Sequence, residues 1–188
     1  MRCRHPLPKL WLLTDERLGD GLWDALRTLP RGSGVVVRHY SLPEPERRRL
    51  LTRIRATGRT RGLTILLAGH PDLAQAWGVD GHYGPLGSRR KLLHLAPVHG
   101  LDEIRAAERA GADMLILSPL FPTRSHPGAA TLGSLRFAAL ARATRLPVLA
   151  LGGVDRRHAP LLRRIGAYGW GGIDAFQRRN QKRNAVPT

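Results

Sequence analysis

Short aliphatic runs alternate along the chain with longer segments in which Leu, Ala and Arg recur at helical spacing. An apolar run bounded by turn residues suits a strand buried on both faces, and an apolar stripe every three to four residues suits a helix packed across such strands. The runs fall at residues 9–14, 34–40, 63–68, 81–83, 92–96, 114–119, 147–151 and 169–173. Helical patterns fall at 21–29, 43–57, 71–77, 101–110, 135–143, 156–165 and 175–179, with only a weak turn near Ser88 in the fourth interval. This alternation predicts a parallel sheet with crossover helices.

Three helix ends share one punctuation: Trp77-Gly78-Val79-Asp80-Gly81, Ala110-Gly111-Ala112-Asp113-Met114 and Ile165-Gly166-Ala167-Tyr168-Gly169. Glycine just past a helix takes up the left-handed cap, and the chain then enters a strand. Eight such units predict an α/β fold, a compact (β/α)8 TIM barrel with a poorly formed fourth helix. An open doubly wound sheet is the alternative, since periodicity does not show closure. At 188 residues the chain is short for a barrel, where about 250 is typical. The expected organisation is a tail at 1–8, a barrel at 9–176 and a basic tail at 177–188.

Composition narrows the class. The formal net charge is +17, with 31 Lys+Arg against 14 Asp+Glu. Only Lys9, Lys91 and Lys182 are lysine, and the arginines are scattered rather than gathered in an arm. Without an aromatic stacking series beside them, they predict a solvated Arg-rich surface and no nucleic-acid partner. The longest apolar runs, such as Met114-Leu115-Ile116-Leu117, are far shorter than the roughly 20 residues of a membrane span, so no membrane partner and a cytoplasmic location are expected. A single cysteine, Cys3, excludes an internal disulfide, and no Cys/His cluster has zinc spacing. Trp77, Trp170 and Tyr168 suit either the core or a homo-oligomer interface.

In a barrel, ligands bind at the C-terminal ends of the strands. The loops there hold Thr14 and Asp15; Arg38, His39 and Tyr40; Gly69 and His70; His82 and Gly84; His99; Ser118 to Gly128; Gly152 and Gly153; and Gly171 to Asp174. Glycine-rich ends on strands seven and eight present backbone N–H groups to an anion, so Gly152, Gly153, Gly172 and Ile173 are the expected phosphate-binding residues. The sixth loop exceeds the usual two to six residues of a βα turn and carries two hydroxyls, a guanidinium and an imidazole suited to a phosphate or diphosphate.

Taken in order, Trp11-Leu12-Leu13-Thr14-Asp15, Val37-Arg38, Gly78-Val79-Asp80-Gly81-His82, His99 with Asp102-Glu103, Gly111-Ala112-Asp113, Pro119-Leu120-Phe121-Pro122-Thr123 and Leu151-Gly152-Gly153-Val154 resemble the thiamin phosphate synthase and thiazole tautomerase (TenI-like) family over residues 9–176. The resemblance implies a (β/α)8 barrel in thiamin biosynthesis. Its synthases join hydroxymethylpyrimidine diphosphate to hydroxyethylthiazole phosphate and release diphosphate with the help of magnesium.

Carried over residue by residue, the resemblance is uneven. The synthase pattern Gln-x-Arg-x-Lys reads Val36, Arg38 and Tyr40 here, and Thr-x-Thr-Lys reads Thr123, Ser125 and His126. Arg38, Thr123, Ser125 and His126 are therefore the expected catalytic residues on the diphosphate or pyrimidine side. The Asn-Asp pair that helps hold magnesium falls on Ala68 and Gly69, and the second aspartate is missing from 85–90. The magnesium implied by the resemblance thus has no carboxylate ligands at the expected positions, leaving Asp15 or Asp72 as substitutes. A serine position reads Pro97, the tautomerase histidine reads Pro119, and the Ile-Ser that cradles thiazole phosphate reads Ile173 and Asp174. Asp174 is expected to turn outward and cap the final helix. Three readings follow: a synthase with a modified site, a metal-free thiazole tautomerase using His126 or His99, and a non-catalytic binder of a thiazole or thiamin phosphate. The synthase is the main expectation, with a phosphorylated small molecule as partner.

Overall fold

The computed structural model describes residues 7–87, 92–125 and 128–176. Eight parallel strands form a closed barrel: β1 (Leu10–Leu13), β2 (Gly34–Val37), β3 (Thr64–Ala68), β4 (Gly81–Tyr83), β5 (Leu93–Val98), β6 (Met114–Leu117), β7 (Val148–Ala150) and β8 (Gly169–Gly172). Closure is made by β1 on β8, with Leu10, Trp11 and Leu12 in register with Trp170, Gly171 and Gly172. Around the wall run α1 (Gly21–Thr28), α2 (Glu44–Arg59), α3 (Pro71–Ala76), α4 (Leu101–Arg109), α5 (Gly133–Arg142) and α6 (Ala159–Arg164). Every expected strand is present; the open-sheet alternative is excluded. Short 3-10 turns at Arg156–His158 and Asp174–Phe176 replace parts of the expected helices, and a third, at Glu16–Leu18, precedes α1 where no helix was expected.

Glycines let so short a chain close. A Cβ on Gly171 would lie 2.9 Å from Leu13 Cδ1 and 3.3 Å from Ile116 Cδ1. Since β6 does not adjoin β8, these side chains meet across the lumen. Register then fixes the inner face as Trp11, Leu13, Gly34, Val36, Leu66, Gly81, Leu95, Ile116, Leu149 and Gly171. A Cβ on Gly34 would stand 2.2 Å from the Trp11 ring, and one on Gly81 would stand 2.6 Å from Leu66 Cδ2. Large residues thus fill the lumen only because small ones face them.

The repeated helix-end motif has a second use. Gly78 and Gly111 hold φ of 63° and 74°, and the aspartates that follow reach back to a strand. Asp80 Oδ2 accepts from Ile65 N at 2.7 Å, and Asp113 Oδ2 accepts from His94 N at 2.8 Å. In the third copy Tyr168 takes the aspartate's place and donates from its hydroxyl to Leu7 O at 2.7 Å. Pro8 O likewise accepts from Trp11 Nε1. Residues 7–8, expected in a tail, therefore pin the barrel's base.

The fourth interval has no described helix, and Ser88 lies outside the described residues. Gly84 to Gly87 instead runs along the wall close to the end of α4, where a Cβ on Gly87 would lie 2.2 Å from Ala110 O. Beneath it His82 and His94, cross-strand partners on the outer face, stack with ring centroids 4.3 Å apart. His82 Nε2 meets Leu86 O and His94 Nε2 meets Gly84 O, each at 2.8 Å. Two buried imidazoles thus cover the wall that a helix covers elsewhere.

Candidate functional site

Continuing the inner-face parity past the strand ends puts Asp15, Arg38, Tyr40, Ala68, Tyr83, Pro97, Ser118, Leu151 and Ile173 around the barrel's open end. This rim is apolar on the β5, β7 and β8 sides and cationic near β2. Arg38 Nη2 binds Asp15 Oδ2 at 3.2 Å, while the Arg38 backbone N–H donates to Thr14 Oγ1 at 3.0 Å. Thr14 also meets His39 Nδ1 at 2.9 Å. The hydroxyl thus ties the start of the loop after β2 to the His39 ring, and the tautomer of His39 sets which of the two donates. His39 is buried with φ of 33°, a left-handed conformation that this bond helps hold. Burial pushes its pKa down, which favours the neutral ring.

The centre of the rim is Arg17, a residue the sequence reading did not single out. Its Nε lies 3.4 Å from Asp174 Oδ1 and 3.9 Å from Asp15 Oδ1, and its Nη2 donates to Ser125 Oγ at 2.9 Å. One guanidinium thus joins the loops after β1, β6 and β8. Asp174 was expected to cap the last helix; instead its carboxylate turns to Arg17 and opens the 3-10 turn Asp174–Phe176. The opposite charge of Arg17 claims the carboxylate, while Asp15 is shared between Arg17 and Arg38.

The expected site residues fall in two groups. Arg38 and Ser125 meet through Asp15 and Arg17, and Thr123 Oγ1 accepts from Ser125 N at 3.3 Å to shape the same loop. His126 lies outside the described residues. On the other side, Gly152 and Gly153 have φ of 93° and 62° and nest against the sixth loop. A Cβ on Gly153 would lie 2.5 Å from Pro122 O and one on Gly152 2.8 Å from Pro119 Cβ, so only glycine fits both. Among the described residues, the backbone N–H groups of Gly152, Gly153 and Ile173 have no backbone acceptor. Gly172 differs: it is buried within the β1–β8 ladder opposite Leu12. His99 is exposed and tied to Glu103 through both its N–H and its ring, which serves the start of α4 rather than the rim.

The donor set does not fit magnesium at the expected place. The ends of β3 and β4 offer Ala68, Gly69, Gly84 and Pro85, with no carboxylate among them. The Ala68 carbonyl is already taken by Arg47 Nη2 at 2.6 Å. Asp15 faces guanidinium groups, and Asp72, 86% exposed, faces His70. A hard dication needs several free oxygens, whereas this corner is held by cations. Tyr83 adds a neutral donor, since burial pushes its phenol up to about 12.

A closed eight-stranded barrel with unpaired N–H groups after β7 and β8 and a cationic rim beside them has the architecture on which (β/α)8 proteins commonly bind phosphate. Its sequence matches the family described as thiamine monophosphate synthase over residues 12–176, and the chain belongs to that family, which serves thiamin biosynthesis. It is 31% identical over 182 residues to a thiamine-phosphate synthase of Syntrophomonas wolfei, covering 89% of this chain and 87% of that protein. With a thiamine-phosphate synthase of Salinispora arenicola it shares 32% identity over 179 residues, covering 87% and 86%. The solved structure of thiamine phosphate pyrophosphorylase from Pyrococcus furiosus superposes with a TM-score of 0.74 at 25% identity, covering 89% of this chain and 86% of that one. Among the described residues, no helix is long and apolar enough to cross a membrane.

Proposed function

We propose that the protein joins hydroxymethylpyrimidine diphosphate to hydroxyethylthiazole phosphate and releases diphosphate. The observation that carries this reading is the pairing of two anion-compatible surfaces either side of Asp15 and Arg17, with an apolar rim for two flat rings. On one side Gly152, Gly153 and Ile173 offer N–H groups to the thiazole phosphate, with Gly172 packing the wall behind them. On the other, Arg38 faces the diphosphate, while Thr123 and Ser125 shape the sixth loop, with His126 following in sequence. The thiazole nitrogen attacks the exocyclic methylene of the pyrimidine: a C–N bond forms, the C–O bond to diphosphate breaks, and its electron pair leaves with diphosphate. Growing negative charge on that oxygen is what fixed guanidinium groups stabilise. No step is assigned to magnesium.

The test is to incubate the protein with both substrates and quantify thiamin phosphate and diphosphate, with and without magnesium. Equal amounts of the two products support the synthase. Binding of both substrates without either product refutes it in favour of the binding-only reading.

A further inference from the structure

Arg47, in the first turn of α2, is 91% buried by its 9% exposure, yet has no carboxylate partner among the described residues. Its Nη2 donates to Val37 O at 3.1 Å and Ala68 O at 2.6 Å, at the ends of β2 and β3. Its Nε is buried without an acceptor, and its Nη1 bonds to no described residue. A guanidinium carries five N–H donors, so a tie that uses one nitrogen leaves most of them unspent. Burying a charge with no counter-charge in contact is costly, the Glu16 carboxylate acting on it only from beyond salt-bridge distance, and an unsatisfied buried donor adds to that cost. A residue that only clamped two carbonyls would do so more cheaply as a neutral amide.

The surroundings place this guanidinium beside two residues of the rim. The Tyr40 ring lies 5.5 Å from the Arg47 guanidinium and 5.8 Å from that of Arg38, so two cations share one aromatic ring at the rim. The strand end that Arg47 holds is Ala68-Gly69, where the donor set for a dication is lacking. We propose that the Arg47 guanidinium, with Arg38 and Tyr40, forms a metal-independent site for the diphosphate group, its fixed charge standing beside the Ala68-Gly69 strand end where the carboxylates for a dication are lacking. The identity of the natural ligand rests on the synthase reading; the anion site itself does not.

The test uses inorganic pyrophosphate as the probe, titrated calorimetrically into the intact protein in excess EDTA and again in magnesium. Binding in EDTA that changes less than about threefold when magnesium is added supports the site, whereas binding only with magnesium overturns it. Arg47→Gln should weaken pyrophosphate at least tenfold, about 1.4 kcal/mol, while leaving hydroxyethylthiazole phosphate affinity within about twofold. An unchanged pyrophosphate affinity in that variant overturns the proposal. The metal comparison needs no variant, so it stands even if Arg47→Gln fails to fold. Pyrophosphate binding in EDTA without product formation would defeat the synthase reading alone, and absence of pyrophosphate binding under both conditions would defeat this one.

Discussion

Removing the side chain of Arg17 isolates what its ion pairs do. The guanidinium and its partner carboxylate on Asp174 are each about a third exposed, so their pairing contributes at most about 1 kcal/mol to stability. Its effect on ligand binding is larger. Asp174 adjoins Ile173, so an anion held by the Ile173 N–H lies roughly 6 Å from that carboxylate. At this distance one pair of unit charges repels by about 0.7 kcal/mol with water-like screening, and about twice that for a phosphate dianion. Arg17→Ala should therefore weaken hydroxyethylthiazole phosphate about tenfold, with the melting temperature lowered by only a few degrees. Asp174→Asn removes the repulsion, so the double variant should return to within about threefold of the unmodified protein. Titration calorimetry on the four proteins at low salt reads this cycle, and the differences should shrink as salt is raised. A double variant as weak as Arg17→Ala alone would refute the reasoning, because Arg17 would then be holding the ligand itself rather than neutralising Asp174.

Three further outcomes are expected. Gly34→Ala forces a methyl into the Trp11 ring, which is fully buried and tied to Pro8, and should cost about 3 kcal/mol; a melting temperature within 2 °C of the parent would contradict that packing. Burial lowers the pKa of both His82 and His39, so the unfolded chain takes up their protons first; stability should be complete above about pH 6.5 and decline as pH falls through the folded values, by up to about 1.4 kcal/mol per pH unit for each proton. Urea titrations across that range check the slope, which His82→Asn should flatten. Gly153→Ala places a Cβ 2.5 Å from Pro122 O at a positive φ and should lower thiazole phosphate affinity at least tenfold; equal affinity would show that the glycine loop is not the phosphate cup.

The barrel was legible because strands buried on both faces leave nearly unbroken aliphatic runs such as Val35-Val36-Val37 and Leu115-Ile116-Leu117, and because glycine must end several of the helices between them. Gly152 and Gly153 were legible as a turn for a related reason: a loop that only glycine fits marks its own residues. Arg17 and Arg47 were not, since nothing local separates them from the other arginines of the chain; Arg17 acts on Ser125 from 108 residues away. Asp174 misled because a carboxylate opening a helical turn reads locally as a cap, while the contact that claims it comes from β1's loop. His82 and His94 sit 12 positions apart and read as unrelated until strand register puts them side by side.

The stacked histidines also decide how this barrel fails. A closed sheet presents no edge strands, so it is protected from pairing with another copy until some seam parts. Among the described residues, the β4–β5 seam, diametrically opposite the seam joining β8 to β1, is covered by two imidazole rings and a short strip of backbone. Charging His82 sets it against its neighbour and starts the parting there. One broken seam frees two edges at once, β4 and β5, with apolar faces still in place. In mild acid the self-contained ring is therefore expected to become an adhesive ribbon, with turbidity preceding loss of the helices.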